Sequence, residues 1–295
     1  MSSSAAVIPP VAQAELRIRA WQDGDAAAWD AFVLAHPAAT FFHLSGWRSV
    51  LEGVHRHPTH FLVAERGDTL CGVLPLAEVR SLLFGAALIS LPFCAYGGPL
   101  AVDDAVAEAL VDEACSLAEK LAVDYLELRN REPVPQALAT KDLYVTFRKA
   151  LSADHEENLK AVPRKQRAMV RKGIKAGLSA VDDDHVRNLY ACYSENQRNL
   201  GTPVFTVRHL EGLRAAFPEH TPVVTVHHDG QPVASVMSFV FRDEVHPYYG
   251  GGLPAARRCA AYDFMYWEVM RRAVDAGLET FDYGRSKIDT GSYRF

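Results

Sequence analysis

The first half of the chain mixes stretches in which every second residue is apolar with stretches in which apolar residues recur every three or four positions. The second pattern predicts a helix at Asp104–Leu121, which Asp103 or Asp104 can cap. Shorter helices are predicted at Ala26–Ala35 and Gly46–Val54. The alternating and buried patterns predict strands at His60–Glu65, Leu70–Val79, Ala87–Ala95 and Asp124–Leu128, with a turn at Gly67-Asp68.

The second half repeats this order of elements. Helices are predicted at Asp184–Leu200, Val207–Phe217 and Tyr262–Ala276. Strands are predicted at Pro222–His227, Val233–Phe241, Val245–Tyr249 and Glu279–Tyr283. Asp229-Gly230 between the first two strands is typical of a type I′ hairpin turn. In both halves the third strand ends in tyrosine followed by glycines, at Tyr96-Gly97-Gly98 and at Tyr248-Tyr249-Gly250-Gly251-Gly252.

The repetition predicts two similar α+β domains in tandem, each with a mostly antiparallel sheet flanked by helices. We place a first domain at residues 15–150 and a second at residues 151–295, with the join near Leu143–Ser152. The alternative is a pair of unrelated α/β domains whose element orders agree by chance.

Composition and charge limit the kind of partner. The chain has 295 residues, a net charge of -5 and 49% hydrophobic residues, which is typical of a globular, soluble protein. Such a balance gives no overall reason to expect nucleic acid or an anionic membrane as a partner, so any site for phosphate must be local. Five widely spaced cysteines without a C-x-x-C motif favour the reduced cytoplasm over a disulfide framework.

Two uncharged segments require interpretation. Residues 1–14 contain Pro9-Pro10 and lack the basic start of a secretory signal, so we expect a disordered tail. Ser81–Val102 is long enough to cross a bilayer, but Pro92, Gly97, Gly98 and Pro99 interrupt it. We therefore expect a buried strand there and no transmembrane segment.

A basic helix is predicted at the start of the second half. Between Lys160 and Gly177 there are seven basic residues and no acid. Four of them fall on one helical face, namely Arg164, Arg167, Arg171 and Lys175. Within an acidic chain this face is suited to a phosphate-rich partner such as tRNA or a diphosphate-linked sugar. The alternative is a solvated basic face without a ligand.

Further candidate binding residues lie at the ends of predicted elements. Arg198 precedes a helix end, and a guanidinium binds carboxylate or phosphate with two parallel hydrogen bonds. Tyr96, Tyr248 and Tyr249 precede glycines that let a ligand approach the backbone, although turn and core roles are the alternative. Arg285 and Lys287 follow the last predicted strand, and we expect them at the rim of a site.

Several segments resemble the FemAB family of aminoacyl and peptidyl transferases, which duplicates the GNAT acyltransferase fold. Phe42-His-Leu-Ser-Gly-Trp47 is similar to an early segment of that family, and Arg164–Gly177 resembles its basic helix. The segments Arg198–Val204, Tyr248–Gly252 and Phe281–Lys287 look like the branch associated with exosortase (PEP-CTERM) and exopolysaccharide gene clusters. The resemblance implies two GNAT-like domains and substrate-binding roles for Trp47 and Arg198.

The resemblance also implies an enzyme of the acyltransferase class, EC 2.3. A FemAB-like enzyme transfers an aminoacyl group from charged tRNA to an amine, here on a saccharide- or peptide-linked precursor of the cell envelope or an exopolysaccharide. A second hypothesis is an acyl-CoA-dependent N-acyltransferase, although neither glycine run fits the Arg/Gln-x-x-Gly-x-Gly/Ala pattern of CoA-binding GNAT loops. A third is a non-catalytic module that binds an anionic glycan precursor or RNA.

Other catalytic and metal motifs do not fit. The chain has no G-x-S-x-G, P-loop or H-E-x-x-H motif. His55, His57 and His60 lie close together without an evident fourth ligand, so no metal is predicted. We expect no resident cofactor, because the acyl donor is a substrate. No general base is assigned, since positioning an amine against an activated ester can supply most of the rate.

The last residues, Phe281–Phe295, carry an expectation about completeness. FemAB-like chains continue beyond the corresponding strand, so this chain resembles one shortened at its C-terminus, with an incomplete second domain. We therefore expect an unpaired sheet edge along Thr280–Tyr283 and a site that lacks part of its wall.

Overall fold

The computed structural model describes residues 15–132, 134, 138–141 and 143–288, and the predicted N-terminal tail lies outside them. The chain forms two compact units. Within the described residues, the first unit comprises residues 15–45 and 57–138, and the second comprises residues 46–56 and 139–288. No helix in this described part is long and apolar enough to cross a membrane.

The first 130 residues contain seven strands and three helices among their described positions. In chain order these are β1 (Leu16–Ala20), α1 (Ala26–Ala35), α2 (Trp47–Val50), β2 (Leu62–Arg66), β3 (Thr69–Leu74), β4 (Ala77–Ser81), β5 (Gly85–Ile89), β6 (Leu100–Ala101), α3 (Asp104–Lys120) and β7 (Tyr125–Glu127). A 3₁₀ turn at Phe41–His43 precedes α2, and a π-helical turn at Leu51–His55 extends it.

Two sheets form the first unit. One has the order β1-β2-β3-β6 and the other β4-β5-β7, in which β5 and β7 are parallel. The prediction of one strand over Leu70–Val79 is wrong, because Pro75 cannot donate to a ladder and divides it into β3 and β4. Helix α3 follows its prediction, and the Asp103 carboxylate caps it by accepting the Val106 N–H at 2.9 Å.

The rest of the described chain supplies six more strands and six more helices. These are β8 (Tyr144–Ala150), α4 (His155–Ala161), α5 (Arg164–Lys175), β9 (Ser179–Asp183), α6 (Arg187–Leu200), α7 (Val207–Ala216), β10 (Val223–His228), β11 (Gln231–Phe241), β12 (Glu244–Gly252), α8 (Ala256–Cys259), α9 (Ala261–Asp275) and β13 (Thr280–Lys287). Asp229 and Gly230 between β10 and β11 both have positive φ, as the predicted turn requires.

A single six-stranded sheet forms the second unit, in the order β8-β13-β12-β11-β10-β9. All neighbours are antiparallel except β12 and β13. Helix α9 packs on one face, where Phe264 and Met265 join Val245 and Phe281 in the core. The hairpin, antiparallel third strand, helix and parallel last strand recur in both units, which confirms the predicted tandem GNAT-like α+β fold.

Two segments lie outside their predicted domain. Strand β8 was assigned to the first domain, but it pairs along β13 from Ala150 opposite Thr280 to Tyr144 opposite Lys287. The expected unpaired edge along Thr280–Tyr283 is therefore wrong, because β8 takes up its backbone hydrogen-bonding groups. Residues 46–56 also belong to the second unit, where Trp47 contacts Phe217 and Phe239 at centroid distances of 5.6 and 6.0 Å.

Candidate functional site

The two parallel strands of the second sheet part soon after they begin. Glu244 pairs with Thr280 and Val245 with Phe281, and no later pair joins β12 and β13 within the described residues. A register shift in the β11–β12 ladder leaves Tyr248 as an extra residue between Tyr249 and Pro247. Such β-bulges bend a strand and are frequent beside active sites.

Strand β13 is also irregular where it leaves β12. Its register against β8 shifts between Asp282 and Arg285, and Gly284 has a φ of +76°. A Cβ at Gly284 would lie 2.7 Å from Nε2 of His246 on β12. Glycine is therefore required here by both the backbone conformation and the close approach of the imidazole.

Charged and polar side chains from three neighbouring strands gather around His246. We call Arg148, Glu244, His246, Asp282 and Arg285 the strand-gap cluster. The Arg148 guanidinium pairs with Glu244, and its Nε lies 4.0 Å from Oδ2 of the buried Asp282. Oδ1 of Asp282 accepts the Gly284 N–H at 2.6 Å. The cluster therefore balances two cations against two carboxylates beside one imidazole.

His246 is neutral in this setting. The side chain is 5% exposed, and burial lowers its pKa to about 4, an effect that Glu244 opposes and that Arg285 and Arg148 reinforce. The ring lies 5.0 Å from the Tyr248 ring, centroid to centroid. At neutral pH the imidazole is therefore uncharged, with one ring nitrogen that can accept a hydrogen bond.

A chain of hydrogen bonds runs through the second unit beside this region. Nε2 of His55 lies 2.9 Å from Nδ1 of His209, and Nε2 of His209 lies 2.9 Å from the Tyr249 hydroxyl. Phe205 stacks on His209 at 4.4 Å, and burial, with a smaller contribution from His55, lowers the His209 pKa to about 3. Neutral His209 has one donor and one acceptor nitrogen. Whether the Tyr249 hydroxyl donates to His209 or accepts from it therefore decides whether His209 donates to the less buried His55 or accepts from it.

A cavity of about 350 Å³ lies where β12 ends. Its wall combines polar side chains from α6, α8 and α9 with the backbone of the β12–α8 loop, and is formed by Glu195, Asn199, Gly252, Leu253, Pro254, Arg257 and Tyr262. The Tyr262 hydroxyl donates to Oδ1 of Asn196 at 3.2 Å. The cavity therefore offers both hydrogen-bond donors and a cation to a polar ligand.

The glycines after Tyr249 allow helices to approach the strand. A Cβ at Gly251 would lie 2.4 Å from the Cys192 carbonyl oxygen on α6, and one at Gly252 would lie 2.9 Å from Cζ of Tyr262. These contacts explain the glycines by packing of the protein itself. A contact between this backbone and a ligand stays a prediction.

The structure brings two of the predicted site residues to the strand gap. Tyr248 is half-buried in the bulge of β12, and Arg285 belongs to the strand-gap cluster on β13. Tyr249 is next to Tyr248 but is 5% exposed, with its hydroxyl bonded to His209. The prediction that the last strand ends at Tyr283, before Arg285 and Lys287, is wrong, because β13 continues past Gly284 and pairs these two residues with Thr146 and Tyr144.

Arg198 lies in the last turn of α6, near the cavity. Its guanidinium is 75% exposed and pairs at 2.9 Å with Glu195, whose side chain lines the cavity. Arg198 is therefore beside the cavity and can reach a ligand that displaces Glu195, which leaves its substrate-binding role a prediction.

Two aromatic candidates are buried. Trp47 is 0% exposed and packs on Phe217 and Phe239, so the structure gives it a packing role, and its contact with a substrate stays a prediction. Tyr96 in the first unit is 8% exposed, with the Arg131 guanidinium 5.5 Å from its ring centroid. That arrangement is a cation–π contact within the first unit.

The basic helix forms as predicted. Helix α5 packs on α9 through Gly173, where a Cβ would lie 2.8 Å from Cβ of Phe264. Arg164, Arg171 and Lys175 are exposed, and none of them forms a salt bridge with a described residue. Arg167 is half-buried and donates to the Lys160 carbonyl oxygen at 3.0 Å. The exposed cations are therefore available to an anionic partner.

The three clustered histidines make separate contacts. His55 bonds to His209, the His57 ring lies 5.7 Å from Phe93, and His60 lies 3.4 Å from Glu78. Across the residues that the structure describes, no group of three or more histidine, cysteine or acidic side chains could hold a metal ion.

Sequence reasoning missed most of the strand-gap cluster. His246 is two positions before Tyr248 and Asp282 lies inside a predicted strand. A histidine or aspartate within an otherwise apolar strand was the available signal, because such a side chain needs a buried partner. Arg148 could not be assigned, since no strand was predicted around it and its segment was placed in the other domain.

Comparisons with known proteins agree with this fold. The family model described as acetyltransferase (GNAT) domain matches residues 164–295, whereas no curated protein sequence matches the chain. The solved structure of FemX has a TM-score of 0.67 at 13% identity, over 93% of this chain and 90% of that chain.

Two further solved structures show the same fold. A tandem GNAT protein from the clavulanic acid biosynthesis pathway has a TM-score of 0.56 at 12% identity, over 95% of this chain and 92% of that chain. The C-terminal domain of a putative lysylphosphatidylglycerol synthetase from Agrobacterium fabrum has a TM-score of 0.53 at 14% identity, over 89% of this chain and 78% of that chain. Residues 164–295 therefore match the model of a GNAT-type acetyltransferase domain, in a chain whose tandem fold is similar to that of FemX.

Proposed function

We propose that this protein is a FemAB-like acyltransferase that forms an amide on an amine of a cell-envelope or exopolysaccharide precursor. The observation that carries the proposal is the gap between β12 and β13, with the Tyr248 bulge on one side and neutral His246 inside it. A gap of this kind in a GNAT-like sheet admits an extended acyl donor and exposes backbone hydrogen-bond donors to its carbonyl.

The chemistry needs one base and one correctly held carbonyl. The amine nitrogen attacks the acyl carbon, the bond from that carbon to the donor's oxygen or sulfur breaks, and the leaving group takes up a proton. His246 would accept the proton that the amine loses. Tyr248 and Arg285 would orient the two substrates, and positioning would supply most of the rate.

The charge on α5 supports one of the two classes of donor. Three exposed cations without salt bridges to described residues favour a phosphate-rich donor, which supports aminoacyl-tRNA. The cavity beside Arg257 favours the second candidate, an acyl-CoA-dependent N-acyltransferase, because a polar pocket at this position suits a phosphorylated acyl carrier. The exopolysaccharide branch and the acceptor rest on the sequence motifs alone.

Transfer assays separate these candidates. The full-length protein would be incubated with radiolabelled aminoacyl-tRNA or acyl-CoA and with amine-bearing peptidoglycan or polysaccharide precursors. His246→Gln should lower the rate at saturating substrate by about 100-fold, the usual contribution of a general base. His228→Gln, a half-buried histidine on β10, serves as the matched control and should retain full activity.

The outcomes distinguish three functions. Transfer from tRNA supports the first candidate, and transfer from CoA supports the second. Absence of transfer from every donor contradicts both. Salt-sensitive binding of RNA or an anionic glycan precursor in that case would identify a non-catalytic binding module.

A further inference from the structure

The turn between β4 and β5 carries three large apolar side chains in a row. Leu82, Leu83 and Phe84 are 107%, 86% and 86% exposed. Turns usually contain glycine, proline, asparagine, aspartate or serine, because these residues suit the backbone and interact with water. Three consecutive, fully exposed apolar residues at a turn indicate a surface that is covered in use.

The turn is held on an ordered base. Strands β4 and β5 pair without interruption from Ala77 opposite Ile89 to Ser81 opposite Gly85. The Ser81 hydroxyl accepts the Leu83 and Phe84 N–H groups at 3.3 Å each. The apolar tip is therefore presented by a defined hairpin, with its shape set before any partner arrives.

The side chains behind the tip change character with distance from it. Arg80 donates to the Leu121 carbonyl oxygen at 2.8 Å, at the end of α3, where the Lys120 side chain is 68% exposed. Tyr125 on β7 lies opposite Ala87 and is 51% exposed. Arg80 and Lys120 are paired with Glu78 and Glu113, so the apolar tip is followed by an aromatic ring and by balanced charges, an order of side chains that suits the interface of a bilayer.

We propose that this β4–β5 hairpin inserts its tip into the interface of a lipid bilayer and thereby docks the first unit on a membrane surface. A convex tip fits a bilayer, which closes around any apolar protrusion, better than it fits a folded protein, which would need a matching pocket. One short tip gives weak, reversible attachment, since stable anchoring needs a second signal. The inference does not depend on the transfer activity.

Vesicle sedimentation tests the docking. The full-length protein should bind phosphatidylcholine vesicles, with little change when phosphatidylglycerol is added, because the cations near the tip are paired with carboxylates. The triple substitution Leu82→Ser, Leu83→Ser, Phe84→Ser should weaken partition to both kinds of vesicle at least about tenfold, because it removes the apolar area that would be buried in the bilayer. The matched control replaces three other exposed apolar residues, Leu34, Val102 and Leu200, with serine and should bind like the unmodified protein.

A second variant reports the depth of the tip. Tryptophan introduced as Leu83→Trp should shift its fluorescence to the blue on vesicles and be quenched by brominated acyl chains, whereas Leu200→Trp should show neither change. The proposal is overturned if the unmodified protein binds neither kind of vesicle, or if the triple variant binds vesicles as well as the unmodified protein does. Loss of a dimer in the triple variant with vesicle binding unchanged would assign the tip to a second copy and would also overturn it.

Discussion

Three buried histidines at different places in the fold share one electrostatic property. Burial lowers the pKa of His43 and of His246 to about 4 and that of His209 to about 3, from an ordinary value of 6.5. Each is neutral in the folded protein because its charged form would be poorly solvated. His43 is further held by Thr40 at 3.0 Å and by the Gly98 carbonyl oxygen at 3.2 Å.

This property predicts acid sensitivity. Below about pH 6.5 the unfolded chain binds protons that the folded chain does not, so the free energy of unfolding falls as the pH falls towards the folded pKa values. From about pH 7 to about pH 5, each of these histidines should cost about 2 kcal/mol. Denaturant titrations at the two pH values measure the loss.

A substitution isolates one histidine. His209→Gln keeps a donor and an acceptor for its neighbours and cannot take up the proton, so the pH-dependent loss should shrink by about 2 kcal/mol. His228→Gln is the control and should leave the loss as it is in the unmodified protein. An unchanged loss in His209→Gln would show that this ring is charged or exposed in solution.

Gly251 predicts a packing cost on β12. An alanine Cβ would lie 2.4 Å from the Cys192 carbonyl oxygen and 2.7 Å from Cβ of Asn196, so Gly251→Ala should lower the free energy of unfolding by about 1–3 kcal/mol. Gly53→Ala meets no atom within 4 Å and should cause no such loss. Urea denaturation compares the two, and equal stability would contradict the close approach of α6.

At the element scale, local patterns predicted the six described helices of ten or more residues and most strands, missed the short helices α4 and α8, and failed where a partner is distant. The charge run from Arg164 to Lys175 and the stripe of α3 are local signals, and both helices form. The end predicted at Tyr283 was wrong because Gly284 forms a bulge within β13. Its partner β8 comes about 130 residues earlier in the chain, a distance at which periodicity carries no information.

Helix α5 predicts salt-dependent binding of tRNA. Replacing Arg164, Arg171 and Lys175 with glutamine should weaken binding at least tenfold at low salt, because three phosphate contacts are lost. The slope of log K against log salt should also decrease in magnitude by about 2 to 3. Filter binding over a range of salt concentrations measures both quantities.

The control for α5 must remove the same charge elsewhere. Glutamine at Arg17, Arg56 and Arg208, three exposed cations on other elements, keeps the net charge equal to that of the α5 variant. If both variants bind tRNA equally, the helix contributes only through overall charge. Binding that ignores salt would contradict any phosphate contact.

At the scale of the molecule, the duplicated domain could be predicted from the sequence, because the two halves of the chain contain the same order of predicted elements. The unit to which each segment belongs could not be predicted, since Gly46–Arg56 and Tyr144–Ala150 lie within the first half of the sequence and carry no local signal of the second unit. Their assignment depends on Trp47 packing against Phe217 and on Lys149 pairing with Phe281, both of which are tertiary contacts.

Dividing the chain at the predicted boundary should therefore fail. A fragment of residues 151–295 lacks β8 and exposes the edge of β13, so we expect it to aggregate. A fragment of residues 139–295 keeps β8 and should be the more soluble of the two, while still binding a hydrophobic dye where Trp47 is missing. Sedimentation velocity compares them, and a monomeric, cooperatively unfolding 151–295 fragment would contradict this division.

The packing of Trp47 on Phe239 also has a consequence for synthesis on the ribosome. Trp47 leaves the exit tunnel about 190 residues before its partner, which is roughly 10 to 40 seconds at ordinary translation rates. During that interval the apolar side chains of residues 46–56 have been synthesised but lack their partners in the second unit. We therefore expect a chaperone that binds nascent chains to bind residues 46–56.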